Sequence, residues 1–349
     1  MISRKNFLKQ SALMAGATFL LPKWSFLIQD QPLRIIDLHA HPGLFFRKGS
    51  DMYPGDDAVG QRIADIRKSG VQMAFFSLVA DSPLLVRTTE GIVVEGSYQK
   101  GEGWAEYKKQ LAIFMELATQ NKMSIAISYK YLADTENSLA LLSCEGGDFL
   151  DGEIDNVERA YQDGIRSIQL VHYAQNNVGD LQTQPAVYNG LSDFGKATVQ
   201  KMNELGMIID VAHASFKTVA DVAEITSAPI LLSHSILKTE EDRPISIRAI
   251  TPAHAKLVAD TGGLIGAWPS GFSKDINDFA DQTLRMIDVV GIDHVGIGTD
   301  MDANFQPVIT NYGEVSSWAA LLENRGLSKT EIDKVLYGNA ERLIKNILK

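Results

Sequence analysis

Ile35-Ile36-Asp37-Leu38-His39-Ala40-His41 is the stretch on which the reading of this 349-residue chain turns. It opens with a short apolar run, residues 33–38, and ends in two histidines separated by one alanine. On an extended strand, residues i and i+2 project to the same side, so both imidazoles can reach one metal ion. An isolated H-x-H pair is more often structural than functional. Its weight here comes from its place in a longer pattern.

Seven more apolar runs succeed it, at 71–79, 138–144, 165–171, 207–212, 229–233, 263–268 and 294–299. Each is too short for a buried helix, and most are rich in Val, Ile or Phe. Near-continuous hydrophobicity is what parallel strands covered on both faces require. Amphipathic stretches lie between them and stop at Gly70, Gly164, Gly206, Gly262, Gly291 and Gly326. Glycine takes the left-handed C′ conformation without a Cβ penalty. Start signals agree: Thr251-Pro252 reads as N-cap and N1, and Ser328-Lys329-Thr330-Glu331 as a capping box. Eight strand–helix units predict a (β/α)8 TIM barrel, with a doubly wound open sheet as the runner-up. A ninth run, 123–130, reads as an accessory strand or part of the connection before the third barrel strand. A helix around 104–117 reads as packing.

The chain carries seven histidines. His39, His172, His213 and His234 each stand at the C-terminal end of an apolar run, and His41 lies just past the first. In a barrel those ends converge on one face, where catalytic loops sit. Cys144-Glu145-Gly146-Gly147 closes another run. Glu145 reads either as a half-buried carboxylate that bridges two metals or as a helix-capping residue near a turn. His213 and His234 taken singly could equally be satisfied core histidines. Asp300 closes the last strand and is expected across the cup from His39. There it could take a proton from metal-bound water, or merely begin an Asx turn. His254 and His294 read as structural, Cys144 as a small core residue, and Trp268 as a pocket wall.

Composition narrows the classes. The chain is 45% hydrophobic and 22% charged, with a formal net charge of −10. That is an ordinary globular profile, and no Lys/Arg stripe suggests nucleic acid as a partner. A single cysteine excludes an internal disulfide and a Cys-based zinc site. Neither a Walker motif nor a G-x-G-x-x-G after a strand is present. Ser3-Arg4-Lys5-Asn6-Phe7-Leu8-Lys9 followed by an apolar run at 12–21 resembles a twin-arginine export signal, with Lys5 in place of the second arginine. The bland alternative is an amphipathic helix. The run is too short to span a bilayer. The expected organisation is an export signal at 1–30 and one metallohydrolase domain at 31–349, delivered to the periplasm.

The ordered set His39-x-His41, Glu145-Gly146-Gly147, His172, His213, Ser233-His234-Ser235 and Gly298-Thr299-Asp300 resembles the renal (membrane) dipeptidase family of zinc peptidases, in the amidohydrolase superfamily. Tyr337-Gly338-Asn339 matches that family's terminal G-N motif. The likeness runs from about residue 33 to the C-terminus. It implies hydrolysis of a dipeptide or related small amide by a hydroxide activated between two Zn2+ ions. His39 and His41 would hold the first ion, His213 and His234 the second, and Glu145 would bridge them. Asp300 would be the general acid/base. His172 would polarise the scissile carbonyl, and Arg243 would bind the substrate carboxylate. Family members are often dimers, which implies a homodimer here.

The chain also departs from the family. The family's H-x-D is His39-Ala40-His41 here, which adds one positive charge to the site. Arg243 is followed by Pro244-Ile245-Ser246 rather than Asn and an acid. Ala267-Trp268-Pro269 stands where a Phe-Tyr pair is usual. Lactone or N-acyl amino acid hydrolysis, and a non-catalytic ligand-binding barrel, remain the alternative functions. A carbamylated-lysine site is disfavoured because His172 holds the fourth strand end. A one-metal deaminase is disfavoured because Ala214-Ser215-Phe216 follows His213.

Overall fold

The computed structural model describes residues 33–349 except 89–90 and 134–136, and residues 33–349 form one compact unit. The expected export signal lies outside the described residues. In chain order the elements are β1 Ile35–Ala40, α1 Asp56–Lys68, β2 Val71–Val79, β3 Leu85–Thr88, β4 Gly91–Val94, α2 Glu102–Gln120, β5 Ser124–Ile125 and β6 Leu139–Glu145. They continue with α3 Asp155–Gln162, β7 Ser167–Gln169, α4 Asp193–Leu205, β8 Ile208–Asp210, α5 Phe216–Ile225, β9 Leu231–Leu237, β10 Ala249–Ile250 and α6 Pro252–Asp260. The last are β11 Leu264–Ala267, α7 Ile276–Val290, β12 Val295–Ile297, α8 Val315–Asn324, α9 Lys329–Asp333 and α10 Asn339–Ile347.

Strands pair in parallel in the order β1-β2-β6-β7-β8-β9-β11-β12, and β12 returns to β1, which closes an eight-stranded barrel. The 123–130 run supplies only β5, an accessory strand beside β6. The sequence did not announce the antiparallel ribbon β3–β4, inserted after the second barrel strand. Outward residues such as Phe76, Leu142 and Ile265 pack under the helices. Inward residues Ile36, Leu38, Phe75, Leu141 and Leu264 meet Leu343 and Ile344 of α10. The interior is therefore filled apart from its C-terminal mouth.

Two bulges shape that mouth. Between Asp37 and Ala40, β1 advances three residues while β2 advances two, from Ala74 to Phe76. Between Leu232 and Ser235, β9 does the same against Ile265 and Ala267. An extra residue lets consecutive side chains turn to the same side. Leu38 and His39 both face inward as a result, as do Ser233 and His234. Gly266 and Gly298 keep the neighbouring strands close: a Cβ on either would lie 1.8 Å from the Ser233 carbonyl oxygen.

The expected caps form. Thr251 accepts from the His254 amide, and Ser328 and Glu331 make a reciprocal capping box. The Asn339 amide donates to the carbonyls of Ile292 and Val295, tying the last helix to the eighth barrel strand.

Candidate metal centre

The ends of four barrel strands bring together five side chains: His39 in β1 with His41 just after it, Glu145 in β6, His213 in the turn after β8, and His234 in β9. His39 Nε2 and His41 Nε2 lie 3.0 Å apart, and His213 Nε2 and His234 Nε2 lie 3.1 Å apart. Glu145 stands between the pairs. Its Oε1 is 3.4 Å from His39 and from His213 and 3.9 Å from His234, and its Oε2 is 3.2 Å from His41. All five are buried. Nitrogens that share a tetrahedral zinc at 2.0–2.1 Å are separated by roughly 3.3 Å, so each imidazole pair has the spacing of a chelate.

Hydrogen bonds behind the rings favour the same use. His41 Nδ1 lies 3.0 Å from the Ser77 carbonyl, which can only accept, so Nδ1 carries the hydrogen. The Nε2 lone pair then faces the cup, the arrangement typical of a metal-binding histidine. Ser233 Oγ lies 3.1 Å from His234 Nδ1 and 3.4 Å from His39 Nδ1. Asp37 accepts from the Thr299 amide and hydroxyl and from the Tyr312 hydroxyl at 2.7 Å, which locks the first strand to the last. Two lone pairs opposed at 3 Å around a buried carboxylate make a donor set that fits a cation. Three overlapping trios have their donor atoms within 4.8 Å of one another: His39, His41 and Asp300; His39, Glu145 and His234; Glu145, His172 and His213.

The electrostatics show how much positive charge the cup demands. Burial disfavours the Glu145 carboxylate, yet His172 and His39 lead the interactions that hold it well below its usual range. Burial also works against a charged ring at His41, but Asp300 and Glu145 outweigh it and raise its pKa to about 10, so in the metal-free cup Nε2 holds a proton whose place a cation would take. His213 is pushed well down by burial and by Arg248, and His234 by burial and by His39 and His213. Neutral imidazoles with free lone pairs are what a metal requires.

Asp300 sits beside His39 and His41 rather than across the cup. Its amide donates to the His39 carbonyl at 2.8 Å, and its Oδ1 is 3.3 Å from His41 Nε2. The reason is closure, since the eighth strand pairs with the first. Asp300 and His213 both have left-handed backbones, φ 52° and 65°. That conformation is costly for residues with side chains and concentrates at functional sites.

His172 joins the cluster, with Nε2 3.3 Å from Glu145 Oε1 and Nδ1 2.6 Å from Asp81 Oδ1. Trp268 forms part of the wall, its ring 5.4 Å from that of His234. Arg243 does not join them: its guanidinium pairs with Asp278 at 2.5 Å and with Glu241 at 2.9 Å. Arg248 takes that place. It is buried, its NH1 lies 2.5 Å from His213 Nδ1 and 2.7 Å from His213 Nε2, and its Cζ lies 5.4 Å from the Trp268 ring centroid. Its Nε has no hydrogen-bond partner among the described residues. The 238–250 loop holds both arginines, and no strand periodicity separates them; the N-cap at Thr251 was the usable signal. Asp81, two residues past β2, is a further site residue that the sequence reading does not single out. It occupies the same strand-end position that marks the histidines.

The remaining candidates lie apart. His254 packs in α6 against Phe216, and His294 Nδ1 bonds the Gly263 carbonyl. Cys144 is fully buried in the core, and burial raises its thiol pKa. A cavity of about 860 Å³ adjoins the cup, bounded by Gly147, Asp148 and Tyr173 on one side and Ile92, Val93 and Val94 of the β3–β4 ribbon on the other. Among the described residues, no helix is long and apolar enough to cross a membrane.

The family model for membrane dipeptidases, peptidase family M19, matches residues 28–349. The chain belongs to that family. As an M19 member it is 26% identical over 240 residues to mouse dipeptidase 3, covering 65% of this chain and 48% of that protein. It is 28% identical over 228 residues to dipeptidase tcpJ of Claviceps purpurea, covering 60% and 51%. The chain thus spans about half the length of the curated relatives it matches. The fold is shared with solved structures: a Rhodobacter sphaeroides metallopeptidase, solved with a phosphinate mimic of L-Ala-D-Ala, superposes with a TM-score of 0.74. That match has 16% identity and covers 91% of this chain and 100% of that one.

Proposed function

We propose that this M19 protein is a two-zinc dipeptidase that hydrolyses the amide bond of dipeptides or closely related small amides. The observation that carries the reading is the pair of imidazole chelates, each with Nε2 atoms about 3 Å apart, on either side of one buried glutamate. His39, His41 and Glu145 would hold one zinc, and His213, His234 and Glu145 the other. Bound there, zinc supplies a nucleophilic hydroxide near neutral pH and a Lewis acid for the carbonyl.

The chain supplies the rest. Asp300, beside His41, accepts the proton of the attacking water at its carboxylate and returns it to the leaving amine. His172 Nε2 points into the cup and polarises the carbonyl oxygen. The substrate carboxylate is assigned to Arg248 rather than Arg243, because the Arg248 guanidinium lies at the cup against His213 and Trp268 while Arg243 is spent on Asp278. Residues 31–349 form the catalytic domain in this reading, and residues 1–30 direct export to the periplasm.

The test is a panel of dipeptides, N-acyl amino acids and lactones with zinc-loaded protein, beside His234→Ala with metal analysis. Dipeptide turnover and about one zinc fewer in the variant are expected. Unchanged zinc stoichiometry and unchanged turnover in His234→Ala would defeat the assignment, and turnover confined to lactones would move the substrate class.

A further inference from the structure

Asp81 has no part in the chemistry above, yet it is fully buried at the wall of the cup. Its Oδ1 lies 2.6 Å from His172 Nδ1. Its Oδ2 accepts the backbone amides of Tyr173 at 3.1 Å and Ala174 at 2.9 Å. A carboxylate that already receives two N–H donors is the acceptor in its third bond, so the hydrogen in that bond belongs to His172 Nδ1. With Nδ1–H committed outward, the opposite corner, Nε2, is the ring atom presented to Glu145 and the substrate position, and a hydrogen carried on Nε2 is the one that reaches the carbonyl oxygen.

We propose that Asp81 is the positioning residue of His172. It fixes which ring nitrogen enters the cup and pins the 172–174 backbone on which the ring is carried. The inference rests on the assignment of His172 to the substrate carbonyl. The anchor is itself held: the Leu84 amide donates to the Asp81 carbonyl at 2.8 Å, and the Tyr98 hydroxyl donates to the Ala80 carbonyl at 2.7 Å. Both bonds fix the root of the segment that carries the β3–β4 ribbon. Asp81 therefore ties that ribbon to the reaction centre through a side chain that never touches substrate.

Asp81→Asn keeps the shape and removes the charged acceptor. Its kcat on a turned-over dipeptide should fall on the order of 10- to 100-fold, with KM within about twofold and zinc content unchanged. Combined with His172→Ala, it should add nothing to the loss caused by His172→Ala alone. An unchanged kcat, a loss confined to KM, or additive losses would overturn the proposal. Nitrogen-15 spectra of histidine-labelled wild-type protein test it without the variant or any turnover. His172 must show a hydrogen-bonded Nδ1–H, and a bare Nδ1 would overturn the proposal even if dipeptides are cleaved. Absence of dipeptide turnover with Nδ1–H present would instead indict the substrate reading.

Discussion

Arg243 and Arg248 stand five residues apart in one loop, and their surroundings give them different work. Arg243 sits between Asp278 and Glu241, where its charge is neutralised. Arg248 lies against His213 and Trp268 with only part of its fork used. Arg248→Ala should raise KM for dipeptides roughly 100-fold, about 2–3 kcal/mol of charge-assisted bonding. Arg243→Ala should leave KM within about threefold and lower the unfolding midpoint instead. Steady-state kinetics and chemical denaturation of the two variants separate the roles. The family likeness implies Arg243 at the substrate, and the structure pairs its guanidinium with Asp278 and Glu241. The difference shows where sequence loses resolution: between strands, nothing periodic fixes which of two like residues points inward.

At strand ends the opposite holds. His39, Glu145, His213 and His234 are legible because apolar runs mark where strands stop, and a barrel gathers those stops on one face. The bulges in β1 and β9 are not legible, since an extra residue leaves no mark in an apolar run. They explain why His39 and His234 lie within their strands rather than beyond them. The β3–β4 ribbon escapes notice for a related reason: Leu85–Thr88 and Gly91–Val94 are short and partly exposed, and they lie off the barrel path. Among the helices, α6 offers a clean test. His254 is buried with Nε2 unpartnered among the described residues, and burial lowers its pKa to about 4. The unfolded ring takes its proton near pH 6.5 while the native ring refuses it until about 4, so stability is lost as pH falls through that interval. The loss approaches roughly 3 kcal/mol. His254→Met in metal-free protein should remove that part of the slope between about pH 6.5 and 4, read by urea denaturation. A variant whose slope matches the wild type's would show that the ring titrates normally.

For the barrel as a unit, a metal held in the cup would also be a clasp. Zinc bound only by the native state at a thousandfold excess over its Kd contributes about 4 kcal/mol. Chelation should therefore lower Tm by roughly 6 °C at this chain length. Calorimetry with and without chelator checks it, and equal Tm values would mean that the side chains do not hold metal in the fold.

The seam between β12 and β1 has a consequence for the life of the chain. Asp37 and His39 are among the earliest barrel residues a ribosome releases, while Thr299 and Asp300, which bond them, are among the last. A nascent polypeptide holds scattered histidines with no common geometry, so it cannot sequester an ion with the affinity of the finished cup. Loading waits for the circle to close. The compartment in which it closes, and the ions circulating there, then decide which metal the protein carries to its work.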